Sequence, residues 1–356
     1  MKRFAITMLS LLALAGSGFA QNLAKNEANA LQTFLNQPAA KGGNNAEALN
    51  MNGSNVANCP GVKVENGHVV EIDWHARDLA GTLNLTNFSN LTKVNISDNK
   101  ITGLVLSNDP ALNVVLASRN RISNLAISTC GQLTQLKLNR NKLTDLDLSG
   151  CPLLQKLNIA SNLMVALDVS NAMNLESLNC TSNKLEELEV ANCQNLKNLY
   201  AGYNDLSSVE LAGLVKLQNL NIGGNKITNL YLQDLPSLVT LFCSDNHMSA
   251  LAVNHCNALN DVFAAYNDLT SFQLTNCPNV AFINLEWNDL STLNLSSMYY
   301  LQRLNVANNQ LTTLDVSFDN MLTYLNVTNN TLLTSVMTTG CDNLQQIVGE
   351  WDDFDQ

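Results

Sequence analysis

From residue 91 onward the apolar positions fall into one frame built around an asparagine. Asn99, Asn120, Asn141, Asn162, Asn183, Asn204, Asn225, Asn246, Asn267, Asn288, Asn309 and Asn330 follow one another at intervals of 21 residues, twelve in all. Counted from each Asn, the positions −8, −5, +2, +5 and +7 are apolar; in the first copy they are Leu91, Val94, Ile101, Leu104 and Leu106. Of these sixty positions only Ser335 breaks the rule. The −3 position is apolar too but admits small residues: Ala117, Cys180, Ala201, Cys243 and Ala264. The LxL spelling before each Asn predicts a short strand with alternate side chains turned inward. One such turn cannot bury its apolar face alone, so the copies are predicted to stack and share a continuous core. The Asn stands where the chain leaves the strand, and its amide can both donate to and accept from backbone groups that the bend leaves free. Twelve of them predict a buried ladder that holds the fold.

The second half of each unit repeats the LxxLxL spelling and closes on a turn-prone residue, as at Asn108, Gly150, Asn171, Asn192, Gly213 and Asn276. It predicts a second short strand, and hence a second parallel sheet or extended stack opposite the first. Some ten residues between turns leave little room for a helix. The expected fold is a β-rich solenoid of about thirteen turns at ~4.8 Å each, on the order of 60 Å long.

This frame, LxxLxLxxNxLxxLxL, resembles the leucine-rich-repeat family. Its 21-residue length and nested half-repeat are most similar to the IRREKO-type subclass of exported bacterial proteins, with the internalins more distant. The resemblance covers roughly residues 69–348. It implies the superhelix, and it leaves function open because the fold serves many partners.

The ends depart from the frame. Asn26 to Gln37, with Ala30, Leu31, Phe34 and Leu35 apolar, predicts a helix; 38–54 reads as a loop rich in Gly, Asn and Ala. Cys59–Val64 and Gly67–Val70 suggest a small hairpin. The layout resembles the N-terminal cap of plant-type leucine-rich-repeat receptors, although the cysteine pair usual there is reduced to Cys59. In the first, irregular turn Val69, Ile72 and Trp74 fill the frame, but Arg77 stands in the Asn place. Leu332-Leu333 carries one extra residue, and the tail Glu350–Phe354 is acidic and aromatic, expected to fold over the last turn. The expected organisation is a signal peptide over 1–20, a cap over 21–68, the array over 69–348 and a tail over 349–356. The signal is read from Lys2 and Arg3, the apolar run Ile6–Ala15 and the small residues of Gly18-Phe19-Ala20. It implies a secreted or periplasmic bacterial protein, cleaved near Ala20, with no membrane insertion.

Charge narrows the function. The net charge is −11, and removal of Lys2 and Arg3 gives 17 − 30 = −13. An acidic chain read as having no basic stripe is a poor candidate for nucleic acid. Cys130, Cys151, Cys193, Cys256 and Cys277 all stand at Asn+10, with Cys341 in the same column after the slip, and Cys180 and Cys243 at −3. Eight of nine cysteines therefore face inward as small hydrophobes. Cys130/Cys151 and Cys256/Cys277 are one turn apart and could be bridged or free. The four histidines are scattered and there is no CxxC, so neither metal nor another cofactor is expected.

Outward positions on the main strand are −6, −4 and −2, with −1 at the rim. The −4 column is largely Asn (Asn95, Asn158, Asn179, Asn221, Asn284, Asn305 and Asn326), expected to form amide rows between stacked strands. One region departs from this polar pattern. Tyr200, Tyr203, Phe242, Phe263, Tyr266, Phe282, Trp287 and Tyr324 lie at outward or rim places, interleaved with Asp245, Asp261, Glu286 and Arg303. A contiguous exposed aromatic patch with Arg suits a binding surface. On the other strand Asp145, Asp147, Asp168, Glu187, Glu189 and Glu210 form an acidic stripe, either a solvated face or a Ca²⁺ site. The leading expectation is a non-catalytic binding module for a protein partner, such as a host or cell-surface protein. The alternative is glycan binding by the same patch. Neither a nucleophile motif nor a His-centred constellation accompanies Asp261 and Glu286, which speaks against an enzyme.

Overall fold

The computed structural model describes residues 23–317 and 319–349, and the backbone of 354–355. The expected signal peptide, residues 1–20, lies outside the described residues, as does most of the acidic tail.

The stacked solenoid forms as the period requires. Fourteen parallel strands, running from His68–Asp73 to Gln346–Val348, join in register at one pair per turn. With the edge strand β1 (Val62–Glu65), antiparallel to β2 (His68–Asp73), they make a fifteen-stranded sheet. Most are three residues long, because only the −6, −5 and −4 positions are straight; the −5 side chain points inward and is buried in all but the last strand, where Ile347 is half-buried. The extra residue near the end resolves the lone exception in the sixty. Leu333 and Val336 are buried while Leu332 is 56% exposed, so the inward set shifts by one and Ser335 falls outside it.

The opposite side, expected as a second parallel sheet or an extended stack, is discontinuous and contains both. Short parallel sheets form at 80–128, 166–189, 229–275 and 313–355, separated by turns with no strand. The +6 column explains the breaks. Where it holds Val105, Ala126, Tyr231, Ala252 or Gln273, the strand runs five residues or more. Where it holds Asp147, Asp168, Glu189, Glu210, Asn294 or Asp315, the side-chain oxygen accepts the backbone N–H two residues on. That local bond diverts an N–H from the ladder, and the strand there is three residues or none.

The asparagine ladder is complete across all twelve turns. Asn225 is representative: its Nδ2 donates to Ile222 O in its own turn (2.9 Å) and to Ala201 O in the preceding one (3.1 Å), and its Oδ1 accepts from Leu206 N (3.0 Å). The same three bonds recur from Asn120 to Asn330. At Arg77, where the Asn is missing, the backbone N–H still donates to Asn99 Oδ1 (3.0 Å).

The N-terminal end is sealed by α1 (Lys25–Leu35), which buries Leu31, Phe34 and Leu35. Phe34 stacks on the buried Trp74 at 5.5 Å, and Trp74 Nε1 donates to Pro60 O. Buried Glu27 accepts from Val69 N (2.7 Å) and faces His68 Nδ1 (3.0 Å). The segment 38–54, expected as loop, contains one helical turn, α2 (Asn45–Ala48); Asn44 caps it, and buried Asn45 ties Phe34 O to both backbone groups of Ala80. At the far end the backbone of Phe354–Asp355 pairs in parallel with Ser335–Met337.

Candidate functional site

The outward face of the long sheet brings most of the aromatic residues together, in two lines. In the first, Phe242 and Phe263 are paired in the −4 column, with ring centroids 4.5 Å apart. Phe263 meets Phe282 diagonally at 5.2 Å, since Phe282 belongs to the −6 column beside Asp261. Arg303 follows Phe282 in that column and lies between its ring (5.6 Å) and that of Tyr324 (4.9 Å). Five side chains from five turns thus form one run, each cation–π contact contributing roughly 0.5–1 kcal/mol at such exposure.

The second line runs along the rim. Every −1 residue, from Asp98 to Asn329, has φ between 54° and 67°, the left-handed bend by which the chain leaves the strand. The bend is held by the next turn: Tyr266 N donates to Glu286 O (2.9 Å) and Trp287 N to Ala307 O (3.0 Å). Gly, Asn and Asp adopt this conformation at least strain, yet Tyr203, Tyr266 and Trp287 occupy it at φ 54–55°. Tyr266 stacks on Trp287 at 6.0 Å and 14°, and both are 51% exposed.

Tyr200 and Tyr203 do not join either line. Asn221 separates Tyr200 from Phe242 in the sheet register, and Gly224 stands between Tyr203 and the later rim residues. A Cβ on Gly224 would fall 2.7 Å from the Tyr203 ring, so the glycine lets that ring lie over the next turn. The contiguous patch is therefore shorter than the sequence reading suggested.

The acidic members have distinct roles. Glu286 accepts from Asn284 (3.3 Å) and Asn305 (3.0 Å), so its carboxylate is held in place. Asp261 is half-buried between Thr240 and Phe282, and burial pushes its carboxyl above the ordinary range. Asp245 is exposed at the rim. The −4 asparagines do not form the expected inter-strand rows. All seven instead accept the backbone N–H two residues on, as Asn221 Oδ1 does from Gly223 N (3.1 Å). A two-residue loop closes with less ordering of the side chain than a reach to the next turn.

In the acidic stripe, Asp147 and Asp168 sit below the ordinary carboxylate range. The Ser149 N–H is the main cause for Asp147, and the Ser170 hydroxyl for Asp168. Among the described residues no three His, Cys, Asp or Glu side chains converge as a metal site would require. All nine cysteines are buried free thiols. Burial pushes Cys130 and Cys193 up to about 11 and Cys151 and Cys180 up to about 12. Cys277 is drawn down by the thiol of Cys256 beside it.

Two features escaped the sequence reading. Tyr231, Tyr299 and Tyr300, all outside the main-strand frame, are 69%, 68% and 54% exposed. The structure also corrects the absence of a basic stripe. Lys100, Arg119, Arg121, Arg140 and Lys142 fill five of the six −1 and +1 places of three consecutive turns and are all exposed, with Asp98 in the sixth. The signal was present in the columns, but net charge averaged over the chain conceals it.

No family model and no curated protein matches the sequence. Solved structures do. The plant peptide hormone receptor RGFR1, in complex with RGF2, aligns with a TM-score of 0.57 at 17% identity, covering 77% of this chain and 58% of that one. An internalin, InlF of Listeria monocytogenes, aligns at 0.51 and 19%, covering 83% and 92%. YopM of Yersinia enterocolitica aligns at 0.50 and 22%, covering 82% and 77%. The protein shares the leucine-rich-repeat solenoid fold of these structures; its own array has one continuous sheet on one side, short parallel sheets on the other and, among the described residues, no helix. Among the described residues no helix is long and apolar enough to cross a membrane.

Proposed function

We propose that this protein is an exported, non-catalytic binding module that recognises a protein partner with the outward face and rim of its long sheet. The observation that carries the reading is the rim pair Tyr266–Trp287. Two large aromatics are half-exposed in a left-handed bend that costs them about 1 kcal/mol each relative to Gly, beside a run of four further rings and Arg303. A position serving only the bend would be best filled by Gly, Asn or Asp, as at Gly224, Asp245 and Asn308. Exposed Trp, Tyr and Arg in one patch are the side chains that dominate protein interfaces. The receptor RGFR1, of similar fold, is seen in complex with a peptide hormone, which supports a peptide or protein partner over other classes.

A glycan is the alternative ligand, and the geometry favours it less. Sugar rings stack on free aromatic faces, whereas Phe242, Phe263 and Phe282 turn faces toward one another. Export, with cleavage near Ala20, rests on the N-terminal sequence. The experiment compares residues 21–356 with a Tyr266→Ala/Trp287→Ala/Arg303→Ala variant on arrays of surface proteins and of glycans. Protein binding lost in the variant supports the proposal. Protein binding equal in both overturns the site, and binding confined to glycan spots overturns the partner class.

A further inference from the structure

The same rim carries a second, oppositely built surface seven turns away. Residues 93–156 hold eight cations (Lys93, Lys100, Arg119, Arg121, Lys137, Arg140, Lys142 and Lys156) against four carboxylates (Asp98, Asp109, Asp145 and Asp147). Of these four, Asp109 is buried and Asp145 and Asp147 belong to the opposite strand, leaving Asp98 alone on this side. From residue 163 to the end the balance reverses to five cations and twenty carboxylates. The separation is thus regional, and it runs against the net charge of the chain.

Local geometry concentrates these cations. The residues at −1 and +1 flank each ladder Asn, so Arg119 and Arg121 share one turn and Arg140 and Lys142 the next. Asn120 N donates to Arg140 O (3.2 Å), which sets the two turns side by side. Asp98, Lys100, Arg119, Asn120 and Arg140 line one surface depression of about 380 Å³. Like charges stacked one turn apart are unfavourable unless something neutralises them. Elsewhere the chain supplies that: Lys93, Lys197 and Lys226 each meet a carboxylate of the preceding turn at 2.6, 2.9 and 2.6 Å. Here it does not. Asp98 is shared between Arg119 (3.4 Å) and His75 (3.6 Å), and among the described residues Lys100, Arg121, Arg140 and Lys142 have no ion-pair partner.

We infer that this cationic rim docks a short acidic segment of the protein partner, a cluster of Asp or Glu side chains. The inference rests on the protein-binding reading above and adds the polarity of the bound partner. Guanidinium groups at −1 in two adjacent turns suit bidentate pairing with carboxylates. The patch spans three turns, roughly 10 Å between its outer strands, which matches a few residues of peptide. A long polyanion would continue onto the acidic remainder of the chain and be repelled there. A partner acidic at one end and apolar at the other, about 35 Å apart by turn spacing, would meet this rim in one orientation only.

The probe is a fluorescein-labelled decaglutamate peptide, titrated by anisotropy with residues 21–356 at 20 and 150 mM salt; decalysine and a heparin fragment serve as comparisons. Decaglutamate should bind, weaken with salt, and lose about tenfold in affinity in Arg119→Gln/Arg140→Gln and again in Arg121→Gln/Lys142→Gln. These residues are exposed, and unchanged circular dichroism verifies the fold. The Tyr266→Ala/Trp287→Ala variant should bind decaglutamate as the parent does, so failure of the aromatic site and failure of the cationic rim are told apart. Equal binding by the Gln variants overturns the inference. So does binding of heparin without decaglutamate, which would make the rim a site for sulfated polysaccharide.

Discussion

Replacing Asn225 by Ala tests whether the ladder holds the array together, and its magnitude follows from the bonds around it. The substitution removes the acceptor of Leu206 N and one donor each from Ala201 O and Ile222 O. The two carbonyls are not stranded: Ala201 O keeps Asn204 Nδ2 (2.9 Å) and Ile222 O keeps Asn246 Nδ2 (3.1 Å). Only the Leu206 N–H becomes a buried orphan, which costs about 1–3 kcal/mol, and the two lost donations add roughly 0.5–1 kcal/mol each. The total is about 2–5 kcal/mol, measurable as a lower urea midpoint by far-ultraviolet circular dichroism. Asn225→Asp restores the acceptor but points a second oxygen at two carbonyls, so at neutral pH it should be no better than Ala and should recover partly on acidification. The exposed Asn192→Ala is the control. A loss below about 0.5 kcal/mol in Asn225→Ala, equal to that control, would refute the ladder as a source of stability.

Three further outcomes are expected. Burial pushes Asp109 up to about 7, so the fold favours its neutral form; its contribution is complete below the ordinary carboxyl value of 3.8 and is lost as pH rises toward 7. Asp109→Asn should therefore raise the urea midpoint at pH 8 and leave it nearly unchanged at pH 4, a difference that equal shifts at both pH values would disprove. Trp287→Asn exchanges an aromatic stack of roughly 0.5–1.5 kcal/mol for relief of about 1 kcal/mol of backbone strain, so thermal unfolding should move little while partner binding falls. Iodoacetamide under native conditions should leave the protein mass unchanged, and in denaturant it should add nine adducts, one per buried thiol; fewer than nine would reveal bridges.

The fold was legible because its signal is periodic. Twelve copies of one frame name the inward positions, the ladder and the number of turns without any reference to propensity. The breaks in the second side were written in the sequence as well, in the +6 column, but reading them requires knowing that a carboxylate there turns back on its own chain. The −4 asparagines were misassigned for the same reason, since residue type alone does not say whether an amide reaches across a turn or closes a local loop. The left-handed rim had no signature, because Arg, Ser, Tyr and Trp occupy places where φ is positive. The candidate site followed: its residues were recognised from their columns, but Tyr200 and Tyr203 fell outside the stacked lines, and the cationic rim was hidden by averaging charge over the chain.

The ladder has a consequence for how such a chain can change. Within the regular array each amide reaches back by the same offsets, to the carbonyl 24 residues earlier and the N–H 19 residues earlier. A whole unit duplicated or deleted there meets its neighbours with every donor and acceptor already matched, whereas a change of any other length strands amides in the interior. Length can thus drift in steps of 21 while the bonding pattern stays constant, and the 22-residue spacings from Glu71 to Lys93 and from Tyr324 to Gln346 mark the boundaries within which that drift is free.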